Sequence, residues 1–225
     1  MAESKSNKEL LEFQNVTATY KKDVGIFDVS FSLSAGEMIF LMGPTGAGKS
    51  TVLKAVYAAV KVNNGKILVD NEDLSLISDY KIPIVRQKIG MIFQDFKLLN
   101  DRTVLENIAL PLRIIGMSTQ EIYEKVHETL SKVGLSNLYN SYPLELSGGE
   151  QQRVCIARAL VKNPKIILAD EPTGNLDPNV SDEILDLLEI FTDAGSAVLM
   201  STHNFPLIKP RKKRFIELSN GRIID

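Results

Sequence analysis

The stretch that most limits what this chain can fold into is Gly43-Pro44-Thr45-Gly46-Ala47-Gly48-Lys49-Ser50-Thr51. It fits the pattern G-x-x-x-x-G-K-[ST]. It also lies between a mostly apolar run, Glu37 to Met42, and a helical pattern from about Lys49 to Val60. A strand, a glycine-rich turn and a helix in that order form the opening unit of a parallel α/β sheet. The glycines let successive N–H groups converge on phosphate oxygens at the positive end of the helix. Lys49 then reaches the β and γ phosphates, and Ser50 supplies a hydroxyl ligand to Mg²⁺.

A second chemical signal lies far downstream. Ile166-Ile167-Leu168-Ala169-Asp170-Glu171 is an apolar strand that delivers two carboxylates at its C-terminal end, where ligands sit in open α/β sheets. Asp170 suits a metal, and Glu171 is then placed to polarise or deprotonate an attacking water. Between the two lies Leu146-Ser147-Gly148-Gly149-Glu150-Gln151-Gln152-Arg153, a Ser hydroxyl and glycine N–H groups at the start of a helix. It is a second anion-binding turn in a chain with one nucleotide loop.

The remaining pattern organises these signals. Leu11, Phe13 and Val16 to Tyr20 indicate an opening strand, and Val29, Phe31 and Leu33 alternate as a second. Lys66 to Val69 and Ile89 to Phe93 read as further strands. From Thr103 to Val133 the pattern turns helical, with Ile122, Val126, Leu130 and Val133 on one stripe. A helix from Gly148 to Lys162, a strand from Lys165 to Ala169, a helix from Val180 to Phe191, a strand from Ala197 to Ser201 and a short strand pair ending at Ile224 complete the chain.

Composition narrows the partners. A net charge of −2 gives no global reason to expect nucleic acid. The single cysteine, Cys155, cannot close an intrachain disulfide and is expected as a small packed helix residue, while two histidines argue against a zinc site. Met1 to Glu9 are polar and lack the apolar core of a secretion signal, so residues 1–9 are expected as a loose, uncleaved start. Apolar runs such as Met38 to Met42 are far shorter than the roughly 20 residues that span a bilayer. Lys209, Arg211, Lys212, Lys213 and Arg214 form the one dense basic run, expected as a solvated loop, or more specifically as a contact with anionic lipid.

The string Leu146 to Arg153 resembles the signature sequence of the ABC ATPases, and other matches to that family follow in order across nearly the whole chain. The resemblance implies a P-loop α/β core with an antiparallel β subdomain and an inserted helical subdomain at about 95–163, all within one domain over 10–225. It implies ATP and Mg²⁺ as cofactors, and a head-to-tail homodimer in which Ser147, Gly148, Gly149 and Glu150 close over the nucleotide of the other subunit. It makes Tyr20 the aromatic that stacks on adenine and Gln94 the glutamine that touches Mg²⁺ and the attacking water. Gly174-Asn175-Leu176-Asp177 becomes the loop that crosses the dimer interface, and His203 the histidine at the γ-phosphate. Taken singly, Tyr20 reads as a strand-end core residue, Gln94 as a strand-end polar residue and His127 as a solvated surface histidine.

Within the family, Phe93 to Asn107 resembles the cell-division ATPases called FtsE, where Asp often follows the glutamine and a Leu-Leu-x-Asp-Arg-Thr-Val string comes next. Asn204 and Asn100 depart from the usual residues. That resemblance implies an FtsX-like integral membrane partner, a peripheral place at the cytoplasmic face of the inner membrane, and membrane contact through the partner. The alternative is the ATPase of a lipoprotein-release or macrolide-type export complex. Phe96, Leu98 and Leu99, just after Gln94, are the apolar residues expected either to meet such a partner or to pack as subdomain core.

Overall fold

Strand β1, Glu9–Lys21, shows how the sequence pattern becomes structure. Leu11 and Phe13 point inward, and so do Val16 and Ala18, so the alternation slips by one residue between the two pairs. The register against β2, Val24–Ser34, shifts at the same place, and Asn15 takes a left-handed φ of 49° with its N–H bonded to Ser30 Oγ at 2.8 Å. A bulge thus keeps both pairs on the buried face. The computed structural model describes residues 8–21 and 24–224. Residues 1–7, most of the expected loose start, lie outside that description, and Glu9 already belongs to β1.

Two sheets are built. The first is antiparallel, in the order β2-β1-β4-β5, with β4 at Asn64–Val69 and β5 at Glu72–Asp73. The second has the order β10-β9-β3-β8-β7-β6 and is parallel except for β10. Its strands are β3 Met38–Met42, β6 Ile89–Ile92, β7 Ile166–Asp170, β8 Ala197–Ser201, β9 Arg214–Ser219 and β10 Arg222–Ile224. Because β3, β7 and β8 are covered on both faces, they are apolar almost throughout. Ile39, Leu41, Ile166, Leu168, Ala197 and Leu199 face the core shared with the antiparallel sheet and α1, Lys49–Val56. Their neighbours Phe40, Ile167, Ala169, Val198 and Met200 face the core shared with the remaining long helices.

Those helices are α3 Val104–Ile114, α4 Thr119–Lys132, α5 Gly148–Leu160 and α6 Pro178–Asp193. Capping boxes start α3 at Thr103, α4 at Ser118 and α5 at Ser147, each with Glu three residues on. The expected stripe of Ile122, Val126, Leu130 and Val133 is buried, as is Cys155. The helical run from Thr103 to Val133 divides at Gly116, whose φ of 81° closes α3.

Several expectations need correction. Helix α1 stops at Val56 rather than Val60, because Ala58 adopts φ 52° and Arg86 donates to the carbonyls of Tyr57 and Ala58 that the helix leaves open. Arg86 belongs to α2, Ile82–Gln87, a short proline-started helix that the sequence pattern did not announce. Helix α7, Phe205–Ile208, is equally short; its start is capped by the Asn204 side chain. His127 is half-buried rather than solvated, its ring 4.2 Å from that of Tyr123 and 5.4 Å from that of Tyr139. The basic run is split. Arg211 pairs with Asp182, Asp186 and Glu189 around α6, Arg214 with Glu37 and Lys213 with Glu189, whereas Lys209 and Lys212 are exposed, as the solvated reading expects of the whole run.

One carboxylate ties the two sheets together. Asp70, following β4, meets Lys8 at 2.8 Å, Lys88 at 3.2 Å and Lys165 at 2.7 Å, the last two standing before β6 and β7. The hydrogen bonds from Lys165 and then Lys8 hold its carboxyl far below the usual range, with Lys88 adding to them and burial opposing. The folded state therefore favours the ionised form. Its stabilisation is complete above the ordinary carboxyl value of 3.8 and fades as the pH falls below it. Asp70→Asn is expected to lower Tm by a few degrees at neutral pH, with the deficit shrinking below about pH 4. Melting curves of both proteins across that range check this; a deficit that does not change with pH would show the clamp is not ionic.

Candidate active site

The phosphate loop connects β3 to α1, and its backbone explains its glycines. Gly43 has φ 139°, and a Cβ there would lie 2.2 Å from the Leu218 carbonyl oxygen of β9. Gly48, at φ 107°, starts α1, where a Cβ would press on Ile26 at 3.0 Å. Pro44, Thr45 and Gly46 are exposed at the loop tip, whereas Ala47 is buried beneath it. Lys49 is only 5% exposed, and its ammonium donates to the carbonyls of Gly43 at 2.7 Å and Pro44 at 3.2 Å. A buried cation is thus satisfied by the loop itself.

Strands β7 and β8 bring the acids to this loop. Asp170 sits level with Ser201 in the parallel register. Its Oδ1 accepts from Ser50 Oγ at 3.0 Å and from Ser201 Oγ at 2.7 Å. Ser201 Oγ also accepts from the Glu171 N–H at 3.0 Å, so one buried hydroxyl orients both acids. Glu171 has φ 45°, a left-handed conformation that costs a residue with a side chain about 1–3 kcal/mol. The turn aims its carboxylate back over the loop, with Oε1 3.5 Å from Lys49 Nζ and Oε2 2.8 Å from His203 Nδ1.

Gln94, just beyond β6, completes the group. A Cβ placed on Gly174 would lie 3.7 Å from both Gln94 Nε2 and Glu171 Oε2. An open cavity of about 340 Å³ is lined by Thr45, Gly46, Gly48, Lys49, Ser50, Thr51, Gln94 and Glu171, together with Val24 and Gly25 of β2. Ser50 of this lining and Asp170 behind it present hydroxyl and carboxylate oxygens 3.0 Å apart. That donor set suits Mg²⁺, which takes one or two carboxylates and completes its shell with phosphates and water. Among the described residues no cluster of three or more His, Cys, Asp or Glu competes for an ion.

Other sequence candidates are not among the residues lining this cavity. Tyr20 is 50% exposed at the end of β1, with Lys54 Nζ of α1 5.8 Å from its ring centroid, and so is not strand-end core. Ser147 and Gly148 are exposed at the start of α5. Ser147 shares a capping box with Glu150, whose carboxyl its hydroxyl and N–H hold below the usual range. Asp177 caps α6, while Gly174 and Asn175 stay exposed. Beyond Gln94, Phe96 is half-buried, Leu98 packs on the core shared with the long helices and Leu99 is 41% exposed, so of the three Leu99 offers the most surface. Sequence reasoning missed Ser201, Val24 and Gly25; a serine ending an apolar strand signals nothing until the neighbouring strand is known.

Residues 26–174 match the family model described as ABC transporter, and the chain belongs to that family. It has the fold of the ABC ATPase cassettes and is an ATPase. The chain is 45% identical over 215 residues to the cell division ATP-binding protein FtsE of Escherichia coli strain K12, covering 95% of this chain and 97% of that one. To the FtsE protein of Bacillus subtilis strain 168 it is 44% identical over 216 residues, covering 96% and 95%. Among solved structures it resembles the dimeric structure of MJ0796, a bacterial ABC transporter cassette, with a TM-score of 0.86 and 37% identity over 96% of this chain and 97% of that one. The same cassette in a post-hydrolysis state bound to ADP and Pi gives 0.85 and 36%, with the same coverage.

Ser201→Ala should slow ATP hydrolysis about tenfold or more, since both acids lose their shared orienting hydroxyl while Lys49 and the loop stay intact. Steady-state kcat and KM, with a melting curve to confirm folding, check the expectation.

Proposed function

We propose that this chain is the ATP-hydrolysing subunit of a membrane complex acting in cell division, and that it works as a head-to-tail dimer around two ATP. The observation that carries this reading is a half-finished site. Lys49, Ser50, Gln94 and Glu171 line one cavity, with Asp170 bonded to Ser50 and His203 to Glu171, while the Ser147 turn, the second anion-binding element, faces solvent elsewhere. A second copy turned head to tail would bring the missing turn. The 43–45% identity to FtsE proteins supports the cell-division role. No helix among the described residues is long and apolar enough to cross a membrane. In this reading an FtsX-like subunit supplies the span, and the chain sits on the cytoplasmic face through that partner. Leu99, an exposed apolar residue in the segment that follows Gln94, is where that partner would sense nucleotide.

The residues divide the work of hydrolysis. Incoming γ-phosphate oxygens replace the loop carbonyls as acceptors for Lys49, which also leaves Glu171 free of its amine. Loop N–H groups from Gly46 to Thr51 cradle the other phosphates. Tyr20, exposed at the end of β1, offers its ring to the adenine. Mg²⁺, held by Ser50, Asp170 and Gln94, supplies neutralisation of the phosphate charge. Glu171 accepts the proton of the attacking water, and His203, already bonded to its carboxylate, holds it in line and then contacts the γ-phosphate.

Glu171→Gln should keep ATP binding but lose hydrolysis by at least about a hundredfold, because an amide cannot accept the proton. It should also elute as a dimer when ATP is present. Near-normal turnover by the purified variant would remove Glu171 from the role of base. Ser147→Arg should abolish hydrolysis with ATP affinity almost unchanged. Mixing it with Lys49→Ala chains should restore one composite site per heterodimer, and a mixture with no recovered activity would contradict the head-to-tail arrangement.

A further inference from the structure

The segment after Gln94 is strained. Phe96 and Lys97 are consecutive residues with side chains, and both are left-handed, with φ 57° and 51°. L-residues avoid that region because Cβ crowds the following carbonyl, and two in succession persist only where the surroundings hold them. The holder here is one side chain of α5. Arg158 donates Nη2–H to the Phe96 carbonyl and Nη1–H to the Lys97 carbonyl, each at 2.6 Å. A planar guanidinium presents two N–H donors in a rigid fork that fixes two adjacent carbonyls at once, whereas an ammonium on a flexible stem does not impose that geometry.

The helix that carries Arg158 also begins at Ser147. The two residues are about 16 Å apart along one rigid element, at 1.5 Å per residue. One end of α5 therefore presents the second anion-binding turn, and the other grips the chain two residues beyond Gln94. We propose that Arg158 is a positioning residue for ATP hydrolysis: its fork holds the Phe96-Lys97 turn and ties the place of Gln94 to that of the Ser147 turn in the same chain. The inference rests on the reading that Gln94 serves the metal and attacking water. Arg158 itself touches no nucleotide in this account; it sets where Gln94 sits relative to α5.

The test is Arg158→Lys in the full chain, with kcat and KM for ATP measured beside a melting curve. The expected result is a kcat at least tenfold lower with KM within twofold, because the nucleotide loop is untouched. Adding Lys97→Gly should recover at least a third of the lost kcat, since glycine holds positive φ without help. A merely structural arginine would not be rescued by a glycine in another segment. A kcat within twofold of normal for Arg158→Lys, or a loss that Lys97→Gly leaves unchanged, overturns the proposal. A Gln94→Ala chain run in parallel separates the two ideas. Full-speed hydrolysis there overturns the reading of Gln94 and with it the purpose of the clamp, whereas a slow Gln94→Ala beside a full-speed Arg158→Lys overturns the clamp alone. If Arg158→Lys does not fold, hydrogen exchange on dilute, monomeric Ser147→Arg protein decides the matter. ATP should then slow exchange both at residues 94–97 and along α5, and a response confined to 94–97 overturns the proposal.

Discussion

The parallel register that sets Asp170 of β7 level with Ser201 of β8 is the constraint from which the rest of the site follows. It puts one buried hydroxyl within reach of the Asp170 carboxylate and the Glu171 N–H together. Asp170 is thereby turned to Ser50 at the start of α1, and Glu171 is turned back over Lys49. Moving β7 by one residue would exchange every side chain between the two cores and send the carboxylates to the wrong face. Both cores thus enforce the register, and the register enforces the site.

Electrostatics shape the resting site in the same way. Lys49 is buried, and the carbonyls of Gly43 and Pro44 and the Glu171 carboxylate surround its ammonium. Phosphate oxygens are stronger acceptors than carbonyls, and exchanging one for the other leaves the ammonium satisfied throughout. Glu171 meanwhile keeps its contact with His203. The same logic at a distance joins the sheets: three lysines on one nearly buried carboxylate, Asp70, fasten the β4 turn to the starts of β1, β6 and β7.

Part of the backbone strain lies where function is expected. Glu171, Phe96 and Lys97 are left-handed without being glycine, and each is held by hydrogen bonds from another element: Glu171 by Ser201, the Phe96-Lys97 pair by Arg158. Tertiary contacts of this kind keep a few side chains in geometries that local preference would not choose. Both holders lie outside the motifs that announce the chemistry.

The sequence by itself determined the chemistry and much of the architecture. A glycine loop between an apolar run and a helix, an apolar strand ending in two carboxylates and a serine-glycine helix start carry their meaning locally, because backbone N–H direction and strand-end position depend on near neighbours. The buried stripe of α4 and the alternation of β2 were legible for the same reason. Only the tertiary structure decided that Ser201 orients both acids, that Arg211 of the basic run is spent on α6, that α1 stops at Val56 and that Arg158 grips the turn after Gln94. Each of these depends on a partner tens of residues away in the chain, and local pattern holds no information about which distant side chain the folded sheet will bring alongside.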